Sequence, residues 1–168
     1  VNATNRVVTD GTGAFHRQIP VGGSSYPFPI GTAGSYLPAT LSNTNGPAER
    51  FGARVANDVH SDYSTPGSPA GTLVVNDQVE RTWTITENTP GGNQATVQLQ
   101  WNLGDEGANF DRANSGLHSY NGTDWVALTL GAAGGANPYT RSALNVGLFR
   151  EFTVADAEST LPFVCTNG

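Results

Sequence analysis

The sequence predicts an all-β fold: an antiparallel β-sandwich, Ig-like or jelly-roll-like, of about ten short strands with little or no helix. Three observations predict it. Apolar and polar residues alternate with period two in repeated short segments. No window of about eleven residues or more keeps the i, i+3, i+4, i+7 apolar spacing of a helix without Gly or Pro interrupting it. The 21 Gly and 10 Pro of the 168 residues gather between the alternating segments, where they read as turn punctuation.

Residues 5–9 and 14–19 open the chain as short strands on either side of Asp10-Gly11. Gly22-Gly23 then precedes a strand at 36–42. After Asn45-Gly46-Pro47, Phe51, Ala53 and Val55 alternate with Gly52, Arg54 and Ala56. Thr65-Pro66-Gly67 leads to a weaker strand at 71–75. Next, Val79, Arg81, Trp83 and Ile85 alternate with Glu80, Thr82, Thr84 and Thr86, which sets a threonine row on one face. Pro90-Gly91-Gly92 joins that strand to the clearest one, where Val97, Leu99 and Trp101 face one way and Thr96, Gln98 and Gln100 the other. Trp83 and Trp101 therefore belong to the core. Residues 117–120 and 125–130 flank Asn121-Gly122, which predicts a type I′ hairpin because both central residues of that turn need positive φ. Gly134-Gly135 precedes the last strand, 148–154, with Phe149, Phe152 and Val154.

One module then spans residues 1–154, with 1–9 an edge strand or a strand exchanged with a neighbour. Residues 155–168 read as a linker or tail that holds Asp156, Glu158 and a short apolar segment at 161–164. The first residue is Val, which fits a processed chain or a fragment.

Composition removes whole classes of chemistry. All 8 basic residues are Arg and none is Lys, so there is no Schiff-base lysine, no phosphate-loop lysine and no lysine-based isopeptide cross-link. A net charge of −6 with scattered arginines argues against a nucleic-acid partner. The one cysteine, Cys165, rules out an intramolecular disulfide and leaves a bridge between chains open. No apolar run reaches the roughly 18 residues of a membrane-spanning helix.

His16, His60 and His118 lie in separate segments, and no Gly-x-Ser-x-Gly elbow or metal-binding histidine motif occurs, so the expectation is a non-enzymatic chain. Asp105, Glu106 and Asp111 share one loop after a strong strand and are candidate calcium ligands, since calcium takes carboxylate oxygens. The alternative is that Asp111 pairs with Arg112 or caps a turn while the other two are solvated. Asn57, Asp58 and Asp62 form a weaker group of the same kind. No other cofactor is expected. Tyr26, Phe28, Tyr36, Tyr120, Trp125 and Tyr139 lie in or near turns; Tyr120 and Trp125 are the candidate ligand-binding pair, a face on which sugars stack, against the alternative of turn anchors. Asn2-Ala3-Thr4 and Asn121-Gly122-Thr123 match the N-glycosylation pattern.

The order of segments resembles a family. His16-Arg17-Gln18-Ile19-Pro20-Val21-Gly22, then Tyr26-Pro27-Phe28-Pro29-Ile30-Gly31-Thr32 and Tyr36-Leu37-Pro38-Ala39-Thr40-Leu41, is similar to the F-P-V-G…Y-R-P-V-T-L opening of β-sandwich modules in large secreted surface proteins of Bacteroidota. Val79-Glu80-Arg81-Thr82-Trp83-Thr84-Ile85 resembles that family's V-x-R-x-W-x-I strand, and Ala95-Thr96-Val97-Gln98-Leu99-Gln100-Trp101 its A-T-V-T-L-x-W strand. Phe110-Asp111-Arg112, Tyr120-Asn121-Gly122 and Trp125 follow its later segment. Thr160-Leu161-Pro162-Phe163-Val164 resembles the junction before a type IX secretion sorting domain, with Phe163 where the family has an aliphatic residue.

The resemblance implies an extracellular, cell-surface module and transfers no active site. The functional expectation is a structural or adhesion module whose partners are copies of itself or other surface proteins, including a filament subunit assembled by strand complementation. The alternative is a carbohydrate-binding module of a secreted enzyme, with glycans as partners.

Overall fold

The computed structural model describes residues 4–157. Asn2 and Ala3 of the first glycosylation pattern, Glu158, the junction-like segment at 160–164 and Cys165 lie outside the described residues. The strands are β1 (Val7–Val8), β2 (Phe15–Ile19), β3 (Tyr26–Phe28), β4 (Ile30–Gly31), β5 (Ala39–Asn45) and β6 (Glu49–Asn57). Four short ones follow, β7 (Val59–His60), β8 (Tyr63–Thr65), β9 (Ser68–Pro69) and β10 (Leu73–Val74). Then come β11 (Arg81–Glu87), β12 (Gln94–Trp101), β13 (Ser115–Tyr120), β14 (Trp125–Gly131), β15 (Gly134–Gly135), β16 (Tyr139–Val146) and β17 (Glu151–Asp156). Two single 3₁₀ turns, Leu103–Asp105 and Arg112–Asn114, are the helical content among the described residues.

Two antiparallel sheets make the sandwich. One has six strands in the order β14-β13-β17-β11-β6-β2, the other five in the order β15-β16-β12-β5-β3. Alternating side chains meet between them: Phe51, Ala53, Val55, Trp83, Ile85, Phe152 and Val154 from the first sheet, and Leu41, Val97, Leu99, Trp101, Ala143 and Val146 from the second, all buried in one core. The strict alternation of β12 is reproduced residue by residue, with Ala95, Val97, Leu99 and Trp101 buried and the polar residues between them more accessible. The Trp83 indole N–H donates to the Leu37 carbonyl at 2.9 Å and so crosses from one sheet to the strand entry of the other. An indole N–H inside a core needs such a partner.

Most long connections cross between the sheets. Pro90-Gly91-Gly92 carries β11 of one sheet into β12 of the other, with Gly91 and Gly92 at φ of 78° and 158°. The β13–β14 connection is a hairpin, but its loop holds four residues, since Tyr120 pairs with Trp125. Within it Gly122 alone takes positive φ, at 109°, so the expected type I′ turn is not formed. The Asn121 side chain closes the loop instead, its Oδ1 accepting from the backbone N–H of Thr123 and Asp124 at 2.9 and 2.8 Å.

Several expectations are revised. The eight-residue β16 carries no clear alternation: a register shift beside Ala95 and Val97, and Asn145 at φ 56°, put its buried residues Ala143 and Val146 three apart. The last strand starts at Glu151 and runs to Asp156, past the expected module boundary at 154, with Ala155 fully buried. β1 pairs with β4 of its own chain, in parallel, with Val7 N–H to Pro29 O at 2.8 Å and Thr9 N–H to Gly31 O at 2.9 Å. Residues 58–75, expected to hold one weak strand, form an excursion of four short strands that lies over the outer face of the six-stranded sheet.

Replacing Trp83 by Phe keeps an aromatic ring in the core but removes the indole N–H and part of its volume, leaving the buried Leu37 carbonyl without its donor. The expected loss is about 1–3 kcal/mol, read from the urea unfolding midpoint; an unchanged midpoint would show that the cross-sheet bond contributes nothing net.

Candidate functional site

The acidic loop after β12 is spent inside the fold. Asp105, almost fully buried, accepts at Oδ1 from an Arg81 guanidinium N–H at 2.8 Å. Its Oδ2 accepts from Ser35 Oγ at 2.9 Å, Asn102 N–H at 2.9 Å and Asn102 Nδ2 at 3.0 Å. Glu106 takes the Trp101 indole N–H at 2.9 Å on one oxygen and lies 3.4 Å from Arg112 on the other. Asp111 caps the second 3₁₀ turn through the Ala113 N–H at 2.8 Å. The three acids therefore serve three separate sets of donors. Among the described residues no group of three or more His, Cys, Asp or Glu is arranged to hold a metal ion, which corrects the expected calcium site. Of the alternatives, the turn cap holds for Asp111, while the other two are buried in bonds rather than solvated. The weaker group fares the same way, with Asp62 accepting from the Tyr120 hydroxyl and the Tyr63 N–H.

The expected stacking face is also overturned. Tyr120 and Trp125 are each 1% exposed, roofed by the 58–75 excursion. Their rings pack with Tyr63 at centroid distances of 5.7 Å between the tyrosines and 6.0 Å from Tyr63 to Trp125. The Trp125 indole N–H donates to the His60 carbonyl at 2.9 Å, and the Tyr63 hydroxyl lies 2.9 Å from Thr82 Oγ1. Burial raises the Tyr63 hydroxyl above the ordinary tyrosine range; burial and the Asp62 carboxylate do the same to Tyr120. These rings, placed beside a turn in sequence, are a second small core.

Beside that core lies a cluster that sequence reasoning missed. Glu151, on the outer face of β17 and fully buried, accepts the Gly67 N–H on one oxygen and lies 3.5 Å from Arg150 Nε on the other. Arg54 donates to the Gly67 carbonyl and, at 3.0 Å, to the Gly11 carbonyl. Gly67 is required here. It sits at φ 77°, and a Cβ would fall 2.7 Å from the Arg54 guanidinium. Burial pushes the Glu151 carboxyl above the usual carboxylate range. The signal in the sequence was an Arg150-Glu151 pair set between Leu148-Phe149 and Phe152, a position that burial on both faces of β17 makes costly for the acid unless paired. Together these groups latch the excursion to the sheet.

The histidines do not converge. His60 lies in the excursion, His16 on the far edge strand β2, and His118 on β13 with its Nδ1 donating to the Gly116 carbonyl at 3.2 Å. An apolar cleft of about 430 Å³ is lined by Pro66, Glu87, Pro90, Leu148 and Phe149. Comparison with family models, with curated proteins and with solved structures returns no match to this chain.

Two outcomes follow from these placements. Asp105→Ala strands the Arg81 charge and is expected to cost about 3–5 kcal/mol, whereas millimolar calcium is expected to leave the melting temperature of the native chain unchanged. A calcium-dependent rise would restore the metal site.

His118 provides a pH readout, because burial lowers its pKa from 6.5 to about 4. Between those values the unfolded chain holds a proton that the folded chain refuses, so this group's contribution falls as pH drops through the window, by on the order of 3 kcal/mol in all. Glu151 acts in the opposite sense: its raised carboxyl favours the folded state at low pH, a contribution lost as pH rises above the unfolded carboxylate range. In urea titrations from pH 7 to pH 4, His118→Gln is therefore expected to lose stability less steeply than the parent chain; equal slopes would contradict a buried neutral imidazole.

Proposed function

We propose that the chain is a non-enzymatic structural or adhesion module of an extracellular surface. What supports this reading is the use made of the residues that carry the family resemblance. Arg81 binds Asp105, Trp83 reaches the Leu37 carbonyl, Trp101 binds Glu106, and Tyr120 and Trp125 hold the excursion through Asp62 and His60. These five motif side chains are ties within the scaffold. Side chains spent on such ties fix the shape of the module and leave its surface free for contact, which is what an adhesive or assembling module needs.

The N-terminal segment is bonded into its own sandwich by β1, and Arg6 donates to the carbonyls of Thr32 and Ala33 at 2.9 and 2.6 Å. Assembly by donation of that segment would first have to break these bonds. Association through a sheet edge requires no such loss, and on this reading the partners are copies of the chain or other surface proteins.

Beads coated with the purified chain are expected to adhere to one another, or to cells displaying the chain, several-fold more than beads coated with an unrelated β-sandwich. Equal retention of both would remove the adhesive reading.

A further inference from the structure

Sheets end in strands whose outer backbone groups are unpaired, and proteins blunt such edges with charge, proline or brevity. Four strands border the two sheets here. β2 carries His16 and Arg17, β3 has Pro27 at its centre, and β15 is two glycines long. The fourth, β14, differs in each respect: it has seven residues, Trp-Val-Ala-Leu-Thr-Leu-Gly, with no charge and no proline. Among the described residues it pairs with β13 alone. A register shift opposite Leu117 and His118 leaves Leu128 as an extra residue, which bends β14 without supplying partners for its outer groups.

The same flank is open in the second sheet. β15 pairs with Tyr139 and Thr140 of β16, so the second half of β16 has no outer neighbour among the described residues. Between β14 and that half lies a cleft of about 290 Å³ lined by Val126, Leu128, Leu144, Val146 and Leu148. Val126 and Leu128 are 41% and 39% exposed, and Leu144 is 72% exposed. With Leu148, four of the eleven exposed large apolar side chains, Val126, Leu128, Leu144 and Leu148, line this cleft, which makes this a patch rather than scattered exposure.

We infer that this flank is a self-association surface, with β14 of one copy adding antiparallel to β14 of a second about a two-fold axis. The inference rests on the proposed structural role and names its contact. Two considerations select a second copy as the occupant. The chain carries a net charge of −6, so two copies repel unless they meet through a neutral face, and neither β14 nor residues 142–149 holds a charged side chain. A two-fold contact must also be complementary to itself, and an uncharged strand edge above an apolar seam is so: backbone donors meet acceptors along the strand while Leu128 and Leu144 of both copies are covered beneath it. The two six-stranded sheets become one continuous sheet.

Sedimentation velocity of the full 168-residue chain over about a hundredfold range of concentration, with amide hydrogen exchange across β14, tests this. A monomer–dimer equilibrium is expected, with protection of the outer β14 amides that grows with concentration. Leu128→Lys and, on the other sheet, Leu144→Glu are each expected to weaken dimerisation by about tenfold or more. Both positions are exposed, and an unchanged near-UV spectrum checks the fold. A chain that stays monomeric at every concentration overturns the inference. So does concentration-independent protection of β14 in a monomer, which would mean that a segment of the same chain covers the edge. An oligomer indifferent to both substitutions overturns it as well. The bead assay keeps the two readings apart: adhesion that survives Leu128→Lys leaves the surface role and removes this contact, whereas a dimer without adhesion does the reverse.

Discussion

The carboxylate of Asp105 gathers donors from Arg81 on one sheet and from Ser35 and Asn102, which flank strands of the other, and the relative position of the two layers depends on that convergence. Burying a carboxylate is costly unless its lone pairs are taken up, and here four hydrogen bonds from three residues take them up. The apolar core alone would tolerate small slides of one sheet over the other. The polar tie does not, because each donor reaches Asp105 from a different direction.

The outer face follows a parallel logic at lower cost. Thr82, Glu151 and Arg54 line a face that would be wet in a simple sandwich, and the 58–75 excursion dries it by supplying His60, Asp62, Tyr63 and Gly67 as partners. β13 and β17 are consequently buried on both sides, which is uncommon for antiparallel strands, and the polar side chains of β17 on the outer side are bonded there, Glu151 to the Gly67 N–H and Thr153 to the Val79 and Arg81 carbonyls.

This division marks what was legible in the sequence. Period-two alternation located β6, β11 and β12, because each has one face in the core and one toward solvent or a polar layer. It failed at β16, where an irregular register and a left-handed Asn145 break the period, and it undercounted the two- and three-residue strands of the excursion. Trp83 and Trp101 were placed correctly in the core by the same alternation. Tyr120 and Trp125 were misplaced because their cover comes from residues about 60 positions earlier, and no local pattern announces a roof. The acids of the 105–111 loop looked like cation ligands for a similar reason: the arginine that neutralises Asp105 lies 24 residues away in the chain.

The position of β17 has a consequence for how the molecule comes into being. It is the last strand among the described residues, yet it lies between β13 and β11 near the middle of the six-stranded sheet. Until it arrives, the β13–β14 hairpin and the β11–β6–β2 group are separate half-sheets joined only through the other layer. A nascent chain therefore has every strand of the five-stranded sheet by residue 146, while the six-stranded ladder closes in one late event, once residue 156 has left the ribosome. Until that moment both half-sheets expose edges that the finished protein keeps covered, so synthesis is its period of greatest exposure to mispairing.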